Sequence, residues 1–163
     1  MRFPRPRVRG RVNREGFRLP STERWTIVSP LKPRFRDTDA MGHINNAVYV
    51  TYLEVARQIY WARLDAHSDY RRVPFILAHV TIDFRSEALV SEVLEAGIRL
   101  AWIGNRSFSF AYRIWEKTSE RTVAEASTVQ VCYDYGAKKT MPMLEELRHA
   151  FESFEGRAVP RKP

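Results

Sequence analysis

The chain reads as an α+β domain in which one antiparallel sheet is wrapped around a long central helix. Three observations predict it. Residues 46–64 form a nearly unbroken apolar segment in which Thr51, Glu54 and Gln58 fall three and four apart, the spacing of a narrow polar stripe on a helix. Four downstream segments alternate apolar and polar residues, the period of half-buried strands. The connections between most of them are short, which favours antiparallel neighbours.

The elements follow in order. "RWTIVSPLKPRFRDTD" alternates Leu31, Pro33 and Phe35 against Lys32, Arg34 and Arg36, so it reads as a strand that bends or lies at an edge near Pro33. The helix beginning at Asn46 is apolar on most sides and is therefore expected to be buried on most sides. "FILAHVTIDFRSEA" alternates Val80, Ile82 and Phe84, and "VLEAGIRLAWIG" alternates Ile98, Leu100 and Trp102. After the turn at Gly104-Asn105, "RSFSFAYRIW" presents Phe108, Phe110, Tyr112 and Ile114 on one face. "EKTSER" turns again, and "TVAEASTVQVCYDY" presents Val129, Val131 and Tyr133. Leu144, Leu147, Phe151 and Phe154 mark a short amphipathic helix that Gly156 closes. One curved sheet around one helix satisfies these apolar faces. It leaves edges uncovered, so a homodimer is expected.

Composition narrows the class. The chain has 163 residues and 44% apolar content, enough for one domain with a core. Its single cysteine, Cys132, excludes a disulfide framework and points to a reducing, cytoplasmic setting. No apolar run reaches the roughly 20 residues of a membrane span. The net charge of +8 suggests nucleic acid, but residues 1–30 hold eight arginines and two glutamates, leaving only +2 for the remainder. Residues 1–23 are therefore read as a basic, flexible arm, 24–156 as the domain and 157–163 as a tail. Nucleic acid is not the expected partner.

The polar cluster "DTDAMGHINN" at the mouth of the helix carries the chemistry. A helix N-terminus offers unpaired N–H groups and partial positive charge, here around Asn45, Asn46 and Ala47, suited to polarising a carbonyl and stabilising an oxyanion. Gly42 allows close approach of a ligand. Asp37 or Asp39 can serve as general base or nucleophile, which together fits acyl transfer to water. Each piece also has a structural reading: an Asn as helix cap, an Asp as turn residue or partner of Arg34 or Arg36, His43 as a packed residue, and Glu54 with Arg57 as an intrahelical ion pair. His67 and His149 sit in polar helical contexts and carry no signal, and His79 lies in a strand. No zinc-ligand spacing, phosphate loop or dinucleotide fingerprint is present.

The combination "DTDAMGHINNAVYVTYLEVAR" resembles the signature of hotdog-fold acyl-CoA thioesterases of the 4-hydroxybenzoyl-CoA thioesterase type: Asp-x-Asp-x-x-Gly, then a Tyr and a Glu-x-x-Arg along the helix. "VTIDFRSEAL", "LAWIGNRSFSFAYRI" and the run from Tyr133 to Met143 are similar to its later segments, so the resemblance covers roughly residues 24–155. It implies a hotdog fold, dimers or tetramers with sites at the subunit interface, and hydrolysis of an acyl-CoA to free acid and CoA. It implies Asp39 as the catalytic carboxylate and Asn46 as donor of its backbone N–H to the thioester oxygen. Gly42 would shape the turn, His43 and Asn45 would orient Asp39 or the water, and Glu54 would contribute from the polar stripe. Arg85 and Arg106 are candidates for the CoA phosphates, and the resemblance implies no metal or bound organic cofactor. Tyr49, Tyr52, Tyr60 and Trp61 would line the acyl pocket or fill the core. The alternatives are an acyl-carrier-protein thioesterase, a hotdog hydratase or a non-catalytic acyl-CoA-binding protein.

Overall fold

A computed structural model describes residues 24–65 and 73–162. The arginine-rich arm and His67 lie outside these residues. The described elements are β1 (Ile27–Leu31), a 3-10 turn (Phe35–Asp37), α1 (Val48–Leu64), β2 (Phe75–Phe84), β3 (Leu94–Ile103), β4 (Ser107–Glu116), β5 (Thr122–Asp134), β6 (Lys139–Thr140) and α2 (Glu145–Glu155). The strands form one antiparallel sheet in the order β1-β3-β4-β5-β2, with β6 added to β5. β2 therefore does not pair with its successor β3. It crosses to the far edge, and the connection through residues 85–93 returns across the end of the sheet.

The first strand is shorter than its alternation suggests. Pro33 has no N–H for a ladder and restricts Lys32. Asp37 then captures the Arg34 backbone N–H at 2.9 Å, which winds the chain into the 3-10 turn. Phe35 is consequently 86% exposed instead of pointing inward with Leu31. The strand β3 shifts register between Leu100 and Trp102, so Ile103 reaches the core and Trp102 is only half-buried. The buried Glu155 accepts the Leu100 N–H at 2.8 Å and the Tyr60 O–H at 2.7 Å, tying α2 and α1 to that irregularity. The chain after α2 adds to the same strand: Ile103 N–H donates to Pro160 O, and Lys162 N–H to Ile103 O.

The face of β5 differs from the one expected. Val129, Val131 and Tyr133 lie on the half-exposed side, and Ala124, Ala126, Thr128, Gln130 and Cys132 face the core. Two buried polar residues there, Thr128 and Gln130, join a hydrogen-bonded chain that reaches α1. Gln130 Nε2 donates to Thr128 Oγ1 at 2.7 Å, Thr128 shares a hydrogen bond with the Tyr112 hydroxyl at 2.9 Å, and Arg57 Nη1 donates to that hydroxyl at 3.3 Å.

α1 packs on β3 and β1 and touches α2. Its inner side is Tyr49, Tyr52, Leu53, Ala56, Arg57, Tyr60 and Trp61. Val50, Thr51, Glu54, Val55 and Gln58 remain exposed, so one subunit does not bury the helix on most sides as its composition suggests. At the centre of the core Phe110 meets Tyr60, Phe108, Tyr112 and Phe151. Phe110→Ala removes these contacts and is expected to cost about 3–5 kcal/mol of unfolding free energy, read from the midpoint of urea denaturation.

Candidate functional site

The site is built on the turn between Asp37 and α1. Asp37 and Asp39 are adjacent in the motif but differ in role. Asp37 is buried, and its carboxylate accepts three hydrogen bonds from Arg34: N–H at 2.9 Å, Nε at 3.2 Å and Nη2 at 3.1 Å. The Tyr52 hydroxyl approaches from α1 at 3.4 Å. The hydrogen bonds from Arg34 hold the Asp37 carboxyl below the usual carboxylate range, against the opposing effect of burial. The backbone carbonyl of Asp37 also accepts the Asn45 N–H at 2.9 Å, closing the turn onto its own start.

Asp39 sits higher, half-buried and facing a cavity. Its N–H donates to His43 O at 2.8 Å, and its carbonyl accepts the Gly42 N–H at 3.1 Å. Oδ1 accepts the backbone N–H groups of Met41 at 2.8 Å and His43 at 3.1 Å. Oδ2 has no partner among the described residues, so the carboxylate is oriented by one oxygen and open at the other. Gly42 makes this possible with φ +82°, a left-handed conformation that glycine adopts at little cost.

The helix entrance completes the arrangement. Asn45 Oδ1 accepts the Ala47 N–H at 2.9 Å, a local bond just ahead of α1. The backbone N–H of Asn46 has no partner among the described residues, leaving it available at the positive end of α1. A cavity of about 320 Å³ lies beside it, lined among others by Asp39, His43, Asn46, Tyr49, Phe84 and Arg85, at the small end of ligand-site volumes. Tyr49 packs edge-on against Phe84 at 5.1 Å, and burial pushes its phenol up to about 12.

The other candidates separate. Glu54 is exposed and accepts a long hydrogen bond from Gln58 at 3.4 Å, while the buried Arg57 donates to the Tyr112 hydroxyl in the core. Tyr52, Tyr60 and Trp61 belong to the core. Arg85 borders the cavity and pairs with Glu125 at 2.6 Å. Arg106 lies at the other end of the sheet and donates to Thr140 O. The β2–β5 and β4–β5 registers place Asp83 opposite Glu125 and Ser107 opposite Val131, which separates the two arginines by roughly 20 Å. Sequence reasoning missed Met41, Ser86 and Glu87 as cavity residues. The last two sit in an aperiodic connection, and only the crossing of β2 to the far edge brings them there.

Asp39, with one carboxylate oxygen uncommitted among the described residues, and Asn46 thus line the same cavity. Residues 33–151 match the model of the thioesterase-like superfamily, and the chain belongs to that family. The long-chain acyl-CoA thioesterase FadM of Escherichia coli is 27% identical over 75% of this chain and 94% of its own length. The acyl-CoA thioesterase YbgC of Haemophilus influenzae is 23% identical over 75% and 91%. Among solved structures, a Thermus thermophilus thioesterase complexed with coenzyme A and Zn superposes with a TM-score of 0.75 at 26% identity, covering 83% of this chain and 98% of that one.

The two aspartates should separate by stability. Asp37→Asn is expected to cost about 1–3 kcal/mol at neutral pH by leaving a buried hydrogen-bond cluster mispaired, and Asp39→Asn far less. The folded-state affinity of Asp37 for its proton is depressed, so its stabilisation is present above the unfolded value of about 3.9. It is lost as pH falls through the lower folded value. Wild-type stability should fall with acid in that range, and Asp37→Asn should show less of this fall in pH-dependent denaturation.

Proposed function

We propose that this protein hydrolyses an acyl-CoA thioester to a free acid and coenzyme A. The observation that carries the reading is the Asp39 carboxylate, fixed through Oδ1 and open at Oδ2, beside the uncommitted Asn46 N–H. As general base, Asp39 takes a proton from water while the hydroxide adds to the thioester carbonyl carbon. The Asn46 N–H and the helix end stabilise the resulting oxyanion. The carbon–sulfur bond then breaks, and the proton held by Asp39 passes to the departing thiolate. Direct attack by Asp39 on the carbonyl carbon is the other route open to the same geometry. Gly42 and His43 keep the turn in shape, and Asn45 holds the backbone just ahead of the helix whose end receives the oxyanion. Arg85, beside the cavity, is the better candidate for a CoA phosphate, and Arg106 has no place in a site within the same subunit. The names of FadM and YbgC and the coenzyme A bound to the Thermus thermophilus structure support CoA as the carrier.

The same reading includes a homodimer. β2 pairs with β5 on one side only, and Leu77 and Phe84 on it are exposed at 41% and 45%. The band of α1 carrying Val50, Glu54 and Val55 is also uncovered. A second copy laid along this edge would continue the sheet and enclose the helix. Sedimentation at micromolar concentration is expected to give twice the chain mass, and a monomer would remove this part of the reading.

The chemistry is tested by free-thiol release from a panel of aliphatic and aromatic acyl-CoAs. Wild type should release thiol, and Asp39→Asn should lose about 10²-fold or more in kcat. Consumption of an enoyl-CoA without thiol would instead indicate a hydratase. Equal thiol release by both proteins would move the chemistry to another group.

A further inference from the structure

The turn that carries Asp39 does not stand alone. Ile44 N–H donates to Ala88 O at 2.8 Å, and His43 forms an antiparallel bridge with Leu89, so the turn rests on the connection between β2 and β3. The ends of that connection are tied by backbone: Arg85 and Ser86 N–H donate to Val123 O, and Lys117 N–H to Val93 O. Its middle, residues 87–92, has no helix or strand of its own. Among the described residues, one side chain from outside the connection holds it. Arg121, at the end of the β4–β5 turn, donates through Nη1 to Ser86 Oγ at 2.5 Å and Glu87 O at 2.6 Å, and through Nη2 to Glu92 Oε1 at 2.5 Å.

Both oxygens of Glu92 are thereby used, because Oε2 accepts the Leu89 N–H at 2.9 Å. Leu89 is the bridge partner of His43, and the His43 N–H is one of the two donors on Asp39 Oδ1. The path from guanidinium to carboxylate thus runs through Glu92, Leu89 and His43. Arg121 is itself anchored. Glu116 accepts the Thr118 and Ser119 N–H groups and the Ser119 hydroxyl, which fixes the turn, and the Glu116 N–H donates to Arg121 O at 2.9 Å. A planar guanidinium with several donors suits a junction with three acceptors, which an ammonium serves less well.

We infer that Arg121 is a positioning residue for thioester hydrolysis: through Glu92 and the β2–β3 connection it sets the Asp39 carboxylate relative to the Asn46 N–H. This rests on the hydrolase reading above. Loss of the junction leaves the core intact and lets the Asp39 turn drift, and a drift of about 1 Å is enough to cost a large factor in rate. The substrate's binding contacts are not with Arg121, so turnover falls and KM does not.

The test uses the full chain and an acyl-CoA that wild type hydrolyses. Arg121→Ala is expected to lower kcat about tenfold or more, with KM within about twofold. Guanidinium added at millimolar concentration should restore part of that kcat without moving the melting temperature. Glu92→Gln should lower kcat in the same direction and gain nothing from guanidinium. Lys117→Met, which breaks the exposed Lys117–Glu95 pair of 3.0 Å near the same turn, should match wild type. Unchanged kcat in Arg121→Ala would overturn the inference. So would a loss that guanidinium does not relieve and that tracks the fraction of folded protein in thermal melts. Absence of thiol release by wild type across the panel would instead overturn the hydrolase reading and this inference with it.

Discussion

The buried carboxylate of Asp37 organises what surrounds it. It stops β1 from continuing by taking the Arg34 N–H, holds the Arg34 guanidinium over the turn, and meets the Tyr52 hydroxyl from the second turn of α1. Its backbone carbonyl takes the Asn45 N–H. Strand, turn and helix thus converge on one residue, and the seven positions between Asp37 and Asn45 have little freedom left. A buried charge is costly unless paired and hydrogen-bonded, so this cluster forms with most of its partners or not at all. That condition fixes where the helix begins, and so where its free N–H groups point.

The sheet then supplies a second constraint. β2 crosses to the far edge instead of pairing with β3, and the connection it needs passes beneath the Asp39 turn. Backbone bonds from that connection to Ile44, together with the His43–Leu89 bridge, give the turn a floor. The cavity opens between this floor and the helix end, with Tyr49 and Phe84 as its apolar side. Two aspartates of the same chemistry, two residues apart, therefore serve different ends. Asp37 is saturated with donors and buried, whereas Asp39 keeps an oxygen open to the cavity. Hydrogen-bond saturation, more than distance along the chain, distinguishes the two carboxylates.

The interior also carries directional polar bonds beside its apolar packing. Arg57, Tyr112, Thr128 and Gln130 form a continuous chain between α1 and β5. Removing one member would strand the others in a low-dielectric interior. Glu155 does comparable service at the other end of the helix, joining Tyr60 to the irregular part of β3. Both clusters link helix to sheet, so α1 is held by directional bonds as well as by its aromatic face.

The sequence by itself determined the kinds of element and the motif that carries the family resemblance. Apolar period located α1 to within two residues of its start, the strand alternation located β2 to β5, and Gly156 with φ +59° ended α2 as its type suggests. The family match over residues 33–151 agrees with the motif at Asp37–Arg57, because such spacing is dictated locally by turn and helix geometry. Tertiary structure alone decided which face of β5 is buried, since Thr128 and Gln130 become core residues only once Tyr112 and Arg57 arrive from other elements. It alone separated Asp37 from Asp39, and Arg85 from Arg106, because partners and strand order are long-range facts. It also placed Ser86, Glu87 and Arg121 around the site: an aperiodic connection carries no signal until the sheet order closes it against the Asp39 turn.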